Sequence, residues 1–142
     1  MTSTTQRVLP GVSAPTETCP VILGLSHLGI IVRDVPAAQR FWTSVMGFAT
    51  LFEGDGFCMI FESSSKLAIG VTNQQGQAAG SFDERQTGLD HVALAVADLA
   101  GLLRWEQRLT EFDVPHSPIA ASDAGHHLNL RARTNSPSSC SC

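Results

Sequence analysis

The sequence predicts an α+β fold built from two tandem βαβββ modules, and an internal repeat is the main observation behind that prediction. Residues 25–34 read LSHLGIIVRD and residues 89–98 read LDHVALAVAD, so each copy begins Leu-x-His and ends in Asp. In both copies bulky aliphatic residues alternate with small or polar ones, as in a strand, and a helical pattern follows directly. Short strand-like segments come after each helix. A repeat of this kind determines the whole fold prediction.

Module one is predicted to span residues 21–74. It should follow a disordered leader over residues 1–20, which are rich in Thr, Ser and Pro and lack apolar periodicity. Its first strand should run from Val21 to Asp34, where the carboxylate caps a helix that carries Pro36 in its first turn. The helix should continue to about Met46 and end at Gly47. Three strands are then predicted over residues 48–52, 57–62 and 67–72.

Module two is predicted over residues 89–131, after a polar linker at 75–88. Asp98 should cap a second helix that runs to about Phe112, and strands are expected around residues 116–121 and 126–131. A fourth strand should follow by analogy with module one. Residues 132–142, ARTNSPSSCSC, cannot supply it because they contain Pro137 and no large aliphatic side chain. The last strand of module two is therefore expected to be missing.

The overall composition excludes several classes of function. A hydrophobic fraction of 43% with 15% charged residues predicts a folded globule, and a net charge of -4 does not favour nucleic-acid binding. No apolar run is long enough to cross a membrane, and no signal peptide is visible. The four cysteines have neither zinc-site spacing nor a plausible disulfide framework. These features predict a cytoplasmic protein without a membrane or nucleic-acid partner.

The two repeat copies each present one histidine on the face opposite the bulky aliphatic residues. His27 shares its face with Gly29 and Ile31, and His91 shares its face with Ala93 and Ala95. The alternative is that both histidines are polar residues at strand starts that bond to nearby backbone. Because the pair occupies equivalent repeat positions, we expect both imidazoles to face one cavity, where they could hold a metal ion.

The paired strand-helix units, the polar linker and the later segment GHHLNLR resemble the vicinal oxygen chelate superfamily over residues 21–131. That superfamily includes glyoxalase I, extradiol dioxygenases, fosfomycin-resistance enzymes and bleomycin-binding proteins. The resemblance implies curved mixed sheets around a cavity. It also implies one divalent metal, held in catalytic members by residues on the first and last strands of each module, and a homodimer.

Carried onto this chain, the resemblance assigns the first-strand metal ligands to His27 and His91. The last-strand ligand of module one should fall at Gly70, which has no coordinating side chain, and Thr72 is a poor substitute. The corresponding glutamate of module two is missing. His127 and Asn129 are weak replacements, and the ion would be Fe, Mn, Ni or Zn. The predicted substrate cavity includes Arg33, Gly70, Thr72 and Ala93.

The tail permits a hypothesis about the gene. The peptide DPDQLALELFV resembles the closing strand of the superfamily. Its codons can be chosen so that deletion of one base in the first codon shifts the reading frame and encodes ARTNSPSSCSC instead. All eleven residues of the tail are reproduced. In this interpretation the lost glutamate corresponds in position to Ser139.

Three functions follow from these observations. The first is a glyoxalase/bleomycin-resistance/dioxygenase-type domain of unknown substrate, acting as a metal-dependent lyase or oxygenase with an impaired site. The second is a metal-free protein that binds a small molecule resembling an antibiotic. The third is an inactive product of a frameshifted gene. The catalytic residues stay unassigned in all three.

Overall fold

The computed structural model describes residues 20–83, 85–123 and 125–132, and it has a mixed α+β architecture as the sequence predicts. Its strands and helices follow one another in the order β1 His27–Ile31, α1 Val35–Arg40, β2 Ala49–Gly54, β3 Phe57–Glu62, β4 Leu67–Thr72, α2 Leu99–Glu111, β5 Ala120–Ser122 and β6 Gly125–His127. The predicted bounds of β3 and β4 are confirmed to the residue.

Module one contains a four-stranded sheet in the order β1-β4-β3-β2. β1 pairs with β4 in parallel, with Gly29 opposite Gly70, whereas the other two pairings are antiparallel. The chain passes from β1 to β4 through α1, β2 and β3, and α1 packs on one face of the sheet. The other face, which carries His27, Gly29 and Ile31, has no helix packed on it among the described residues.

The first helix begins and ends as predicted. Asp34 accepts a hydrogen bond from the Ala37 amide at 2.9 Å, which satisfies one of the free donors at the helix start. A π-helical turn over Phe41–Val45 continues α1 as far as Met46, and Gly47 follows with a φ of +79°. A positive φ is easy for glycine, so the chain can reverse there into β2.

The predicted start of the first strand at Val21 is wrong, because β1 begins six residues later at His27. Its partner β4 offers only six residues, and His27 already lies opposite Ala68 near the beginning of that strand. Residues 21–26 therefore have no strand to pair with in the described structure. Val21, Ile22 and Leu23 are accordingly exposed to solvent.

One hydrophobic core joins the two modules. It lies between the helices and the covered face of the sheet, and residues from both halves of the chain contribute to it. Arg108 of α2 also bonds across the junction, with Nε donating to the Val45 carbonyl at 2.6 Å and a terminal guanidinium nitrogen donating to the Ser44 carbonyl at 2.9 Å. The largest fully buried side chains are Trp42, Ile60, Ile69, Leu109, Val71 and Cys58.

The second helix is confirmed, but the predicted first strand of module two is not formed. Asp98 caps α2 through the Gly101 amide at 2.7 Å, and the helix ends at Glu111 next to Phe112. Residues 91–96 have no assigned secondary structure, and no described strand pairs with them. A strand of this kind needs a neighbour, as β1 has in β4, whereas a helix closes its own hydrogen bonds.

The hairpin of module two is shorter than predicted. β5 and β6 pair over only three residues each, and a single bridge between His116 and Leu130 extends the contact. The tail over residues 133–142 lies outside the described residues. None of the helices in the described part of the chain is long and apolar enough to cross a membrane.

Candidate functional site

His27 lies at the start of β1 on the uncovered face of the sheet. Its imidazole is exposed, and Nδ1 lies 3.3 Å from Ser26 Oγ. Gly29 follows on the same face, and nothing lies within 4 Å of the place where a side chain would begin. The prediction that β1 presents a histidine among small neighbours is therefore confirmed. We call this surface, with the residues of β2, β3 and β4 that share it, the open face.

The open face is apolar beyond His27. The pairing registers place Gly29, Gly70, Met59 and Phe52 in one row across the four strands. Phe52 is 56% exposed, and its ring lies 5.8 Å from the ring of Phe57. Aromatic and thioether side chains that are uncovered on one face of a sheet suit contact with an apolar ligand or with another protein surface.

Gly70 occupies the position that the family resemblance assigns to the last-strand metal ligand of module one. A β-carbon added to this buried glycine would lie 3.5 Å from Met59 Cε and 3.7 Å from Phe57 Cε2. The two side chains nearest to that β-carbon are therefore apolar, and the third neighbour is the Leu28 carbonyl oxygen at 4.0 Å. Thr72 is half-buried, and its hydroxyl accepts a hydrogen bond from the Gln74 amide at 3.0 Å, which engages it in a turn.

His91 and Arg33 line one cavity of about 310 Å³, although they are distant in sequence. We call it the linker cavity, because residues 78–82 of the linker close one side while residues 30–33 and 89–92 form the rest. Its walls are mostly aliphatic. Arg33 makes no ion pair with any described residue. The cavity therefore combines an apolar body with one available cation.

His91 is oriented by the residue before it. Its Nδ1 lies 2.7 Å from an Asp90 carboxylate oxygen, and an ionised carboxylate can only accept, so the proton of the neutral ring belongs on Nδ1. Nε2 is left with its lone pair and can accept a hydrogen bond or coordinate an ion. In the first repeat copy Ser26 Oγ lies 3.3 Å from His27 Nδ1, and because a hydroxyl both donates and accepts, this contact does not fix the tautomer of His27.

The weak candidates of module two lie in different places. Asn129 lies in a second cavity, of about 430 Å³, together with His91. Residues 115–117 and 129–131 form most of its wall, and we call it the hairpin cavity. His116 in this cavity has Nδ1 at 2.9 Å from the Ser117 carbonyl and Nε2 at 2.9 Å from Thr110 Oγ1. Both of its nitrogens are thus engaged. His127 ends β6, is exposed and lines none of these cavities.

The two repeat histidines are not brought to the same described cavity. His91 lies beside Ile31 and Val32 in the linker cavity, whereas His27 begins β1 four residues earlier. Four residues of strand correspond to about 13 Å. The prediction that both imidazoles face one space within a single chain has no support from these cavities. A cavity shared between two copies of the chain stays a prediction.

A divalent metal does not fit the described donors. Enzymes normally hold such an ion with three or four protein ligands, commonly including a carboxylate. Within residues 20–83, 85–123 and 125–132, no three His, Cys, Asp or Glu side chains cluster closely enough to do so. Glu62 is engaged elsewhere, because the Ser65 hydroxyl and the Ser64 and Ser65 amides bond to it and lower its pKa to about 2.

Two features of the site were not foreseen in the sequence. The Asp90–His91 pair could have been noticed, since Asp directly precedes the repeat histidine, just as Ser26 precedes His27. Phe52 on the open face carried no comparable signal, because its side depends on a β-bulge in β2 between Thr50 and Phe52. A bulge shifts the alternation by one residue and cannot be located from composition.

Together, the fold and these cavities define a small α+β domain that offers apolar, ligand-sized space beside His91, one of the two repeat histidines. The chain belongs to the Glyoxalase/Bleomycin resistance protein/Dioxygenase superfamily, whose family model matches residues 24–135. No curated protein sequence matches it.

Solved structures agree on the fold. A glyoxylase/bleomycin resistance protein/dioxygenase domain from Frankia sp. EAN1pec is 26% identical, with a TM-score of 0.73, and the match covers 85% of this chain and 90% of that one. A lactoylglutathione lyase from Agrobacterium tumefaciens is 15% identical, with a TM-score of 0.64 over 84% and 90% of the chains. The fosfomycin resistance protein FosX from Listeria monocytogenes, complexed with Mn(II) and sulfate, is 16% identical, with a TM-score of 0.62 over 85% and 89%.

Proposed function

We propose that this chain binds a small organic molecule in the linker cavity without a metal ion. The observation that carries the proposal is the combination of aliphatic walls with Arg33 and the Asp90-oriented imidazole of His91 in about 310 Å³. Cavities that hold small ligands usually pair an apolar lining with a few polar groups, and this volume lies at the lower end of their range.

The polar groups indicate the class of ligand. The Asp90 carboxylate is already satisfied by His91 and is largely exposed, so solvent screens its charge. Arg33 has no described ion-pair partner, and a guanidinium binds planar, oxygen-bearing anions well. The ligand is accordingly a small, mainly apolar molecule with one acceptor group such as a carboxylate.

A fluorine NMR screen of small aromatic and aliphatic carboxylates against the chelator-treated chain tests this function. A hit should bind equally well with and without chelator, and Arg33→Gln should weaken it about tenfold, since one charge-assisted hydrogen bond is lost. Arg40→Gln is the matched control, because Arg40 is also an exposed cation but lines neither this cavity nor the hairpin cavity. Binding that appears only after Mn(II) or Zn(II) is added would contradict the proposal.

A metal-dependent lyase or dioxygenase is the second candidate. It is supported by His91, whose Nδ1 is engaged by the Asp90 carboxylate so that Nε2 is left available, and by the exposed His27 at the equivalent repeat position. Calorimetric titration of the metal-stripped chain with Fe(II), Mn(II), Ni(II) and Zn(II) tests it, with iron handled anaerobically. Micromolar binding that is lost in a His27→Ala, His91→Ala double variant would favour this candidate over the first.

A homodimer is part of the proposal. The open face supports it, since Ile31 on β1 is 59% exposed and Phe52 on β2, at the opposite edge of the sheet, is 56% exposed, and a second copy could cover both. Light scattering after gel filtration gives the mass directly. The cytoplasmic location and the frameshifted gene stay predictions, and the nucleotide sequence of the gene decides the latter.

A further inference from the structure

Phe82 supplies the only phenyl ring among the described residues that line the linker cavity. It is half-buried, whereas Ala79, Gly80 and Ser81 directly before it are exposed to solvent. The linker therefore withdraws one large apolar side chain from water, and it does so at the wall of the cavity.

The ring of Phe82 has no aromatic partner in the described part of the chain. The ring contacts there join other residues, namely Phe41 with Trp42, Trp42 with Phe48, and Phe52 with Phe57. A contact between two rings strengthens an association about two- to tenfold beyond the effect of the area that it buries. A ring on a ligand would therefore gain a contact with Phe82 that an aliphatic group of similar size lacks.

Residues 79–82, which we call the strap, make no hydrogen bond to any other described residue. The hydrogen bonds lie on either side of them. Before the strap the Ala78 amide donates to the Asn73 carbonyl at 2.9 Å, and after it the Gln86 amide donates to the Asp83 carbonyl at 3.1 Å. The strap is therefore held against the cavity by the packing of its side chains, and its phenyl ring can follow the outline of a bound molecule.

The part of the wall that carries Arg33 is fixed by strand pairing. β1 pairs with β4 as far as Ile31, which lies opposite Thr72, and the Val32 amide donates to the Thr72 carbonyl at 2.9 Å. Arg33 follows directly, so its backbone starts from a defined position. The cavity thus combines a cation on a rigid wall with a ring on an adjustable one.

The volume of the linker cavity suits a ligand with a single ring. An apolar cavity of about 150 Å³ holds benzene. A volume of about 310 Å³ therefore leaves room for one six-membered ring together with a carboxylate group.

We propose that Phe82 makes the linker cavity selective for aromatic carboxylates that contain one ring. The inference rests on the function proposed above and names the class of ligand within it. The carboxylate of the ligand bonds to the Arg33 guanidinium, whose planar fork matches the two carboxylate oxygens. The ring of the ligand lies against Phe82, and the strap adjusts to that contact.

Titration of the chelator-treated full chain with benzoate and with cyclohexanecarboxylate, followed by amide NMR signals, tests the proposal. The two anions have similar size and the same charge at pH 7, but only benzoate has an aromatic ring. Benzoate should bind about threefold more tightly to the unaltered chain. Phe82→Leu should remove this preference, whereas Phe82→Tyr should keep it because the ring remains.

The ratio of the two dissociation constants is the quantity to compare between variants. A general change in the shape of the cavity affects both acids and largely cancels in this ratio. Phe52→Leu is the matched control, because Phe52 is an exposed ring on the open face that does not line the linker cavity. It should leave the ratio unchanged.

Three outcomes would overturn the proposal. Equal binding of the two acids, with both weakened by Arg33→Gln, would remove the selectivity and leave the proposed function intact. A preference for benzoate that persists in Phe82→Leu would assign the selectivity to another part of the chain. Binding of neither acid at millimolar concentrations would count against this inference and the proposed function together.

Discussion

Module one and module two start from nearly the same sequence pattern and end in different structures. In module one the pattern becomes β1, which pairs with β4. Three aliphatic side chains of β4 are buried on the helix side of the sheet. In module two the helix forms equally well, but residues 89–97 stay unpaired among the described residues. The comparison teaches that an alternating pattern specifies an extended conformation, and that a strand forms only when a partner is available.

The largest expected effect on stability comes from two aromatic residues at equivalent repeat positions, Phe41 in module one and Trp105 in module two. Phe41 is buried and packs edge to face on Trp42 with ring centroids 5.6 Å apart, whereas Trp105 is half-buried and lines a groove between α2 and residues 94–96. Phe41→Ala should lower the free energy of unfolding by about 3–5 kcal/mol. Trp105→Ala should lower it by less, about 2 kcal/mol, since the indole packs against the edge of the core and is only partly buried.

Urea unfolding followed by circular dichroism gives both values. The slopes of the two transitions serve as the control, because a change in slope would mean that the variant alters the unfolded state or breaks the two-state assumption. Equal losses for the two variants would mean that module two is packed as tightly as module one.

The next effect concerns the junction between the modules. Arg108 donates to the carbonyls of Ser44 and Val45, and its guanidinium lies 4.7 Å from the centre of the Phe112 ring. Arg108→Gln should cost about 1.5–2 kcal/mol, because hydrogen bonds from a charged donor contribute more than neutral ones and one of these is partly buried.

Arg104→Gln is the matched control, since Arg104 is an exposed cation one turn earlier on α2. It should change stability by no more than about 0.5 kcal/mol. If both variants lose the same free energy of unfolding, the loss comes from removing a positive charge from α2. The hydrogen bonds across the junction would then contribute nothing further.

The helix caps should behave alike in the two modules, in contrast to the strands. Asp34 and Asp98 each accept a hydrogen bond from an amide three residues later, at 2.9 and 2.7 Å. Asp34→Ala and Asp98→Ala should each cost about 1 kcal/mol in thermal or urea unfolding. Asn at either position should restore most of the loss. A cap that matters in one module only would show that the helices, too, depend on the missing pairing.

The sequence predicts those features of the fold that depend on near neighbours. Both caps, both helices and the bounds of β3 and β4 follow from patterns of fewer than twenty residues that turns or caps delimit. The strand predicted at residues 89–97 does not form, because a strand there requires a pairing partner from elsewhere in the chain. No local sequence pattern indicates whether that partner is present. The site follows the same division. His27 on the open face was predictable from alternation, whereas Arg33 and His91 share a cavity only because residues 78–82 close over them.

The smallest effect concerns the turn between β3 and β4, which leads into the strand that has no counterpart among the described residues of module two. The Ser65 hydroxyl and the amides of Ser64 and Ser65 bond to Glu62 and lower its pKa from 4.5 to about 2. A lowered pKa in the folded state means that the ionised carboxylate stabilises the fold. Its contribution is complete above pH 4.5 and disappears as the pH falls towards 2.

Glu62→Gln should therefore reduce stability at pH 6 and make little difference at pH 2, and urea midpoints across this range measure the trend. Ser65→Ala removes the largest cause of the shift, so an NMR titration of the Glu62 carboxyl should give a higher pKa in that variant. A Glu62 pKa that is unchanged by Ser65→Ala would mean that the turn is not held by this side chain. The start of β4 would then be fixed by strand pairing alone. The comparison of the modules implies that residues 89–97 depend on strand pairing in the same way.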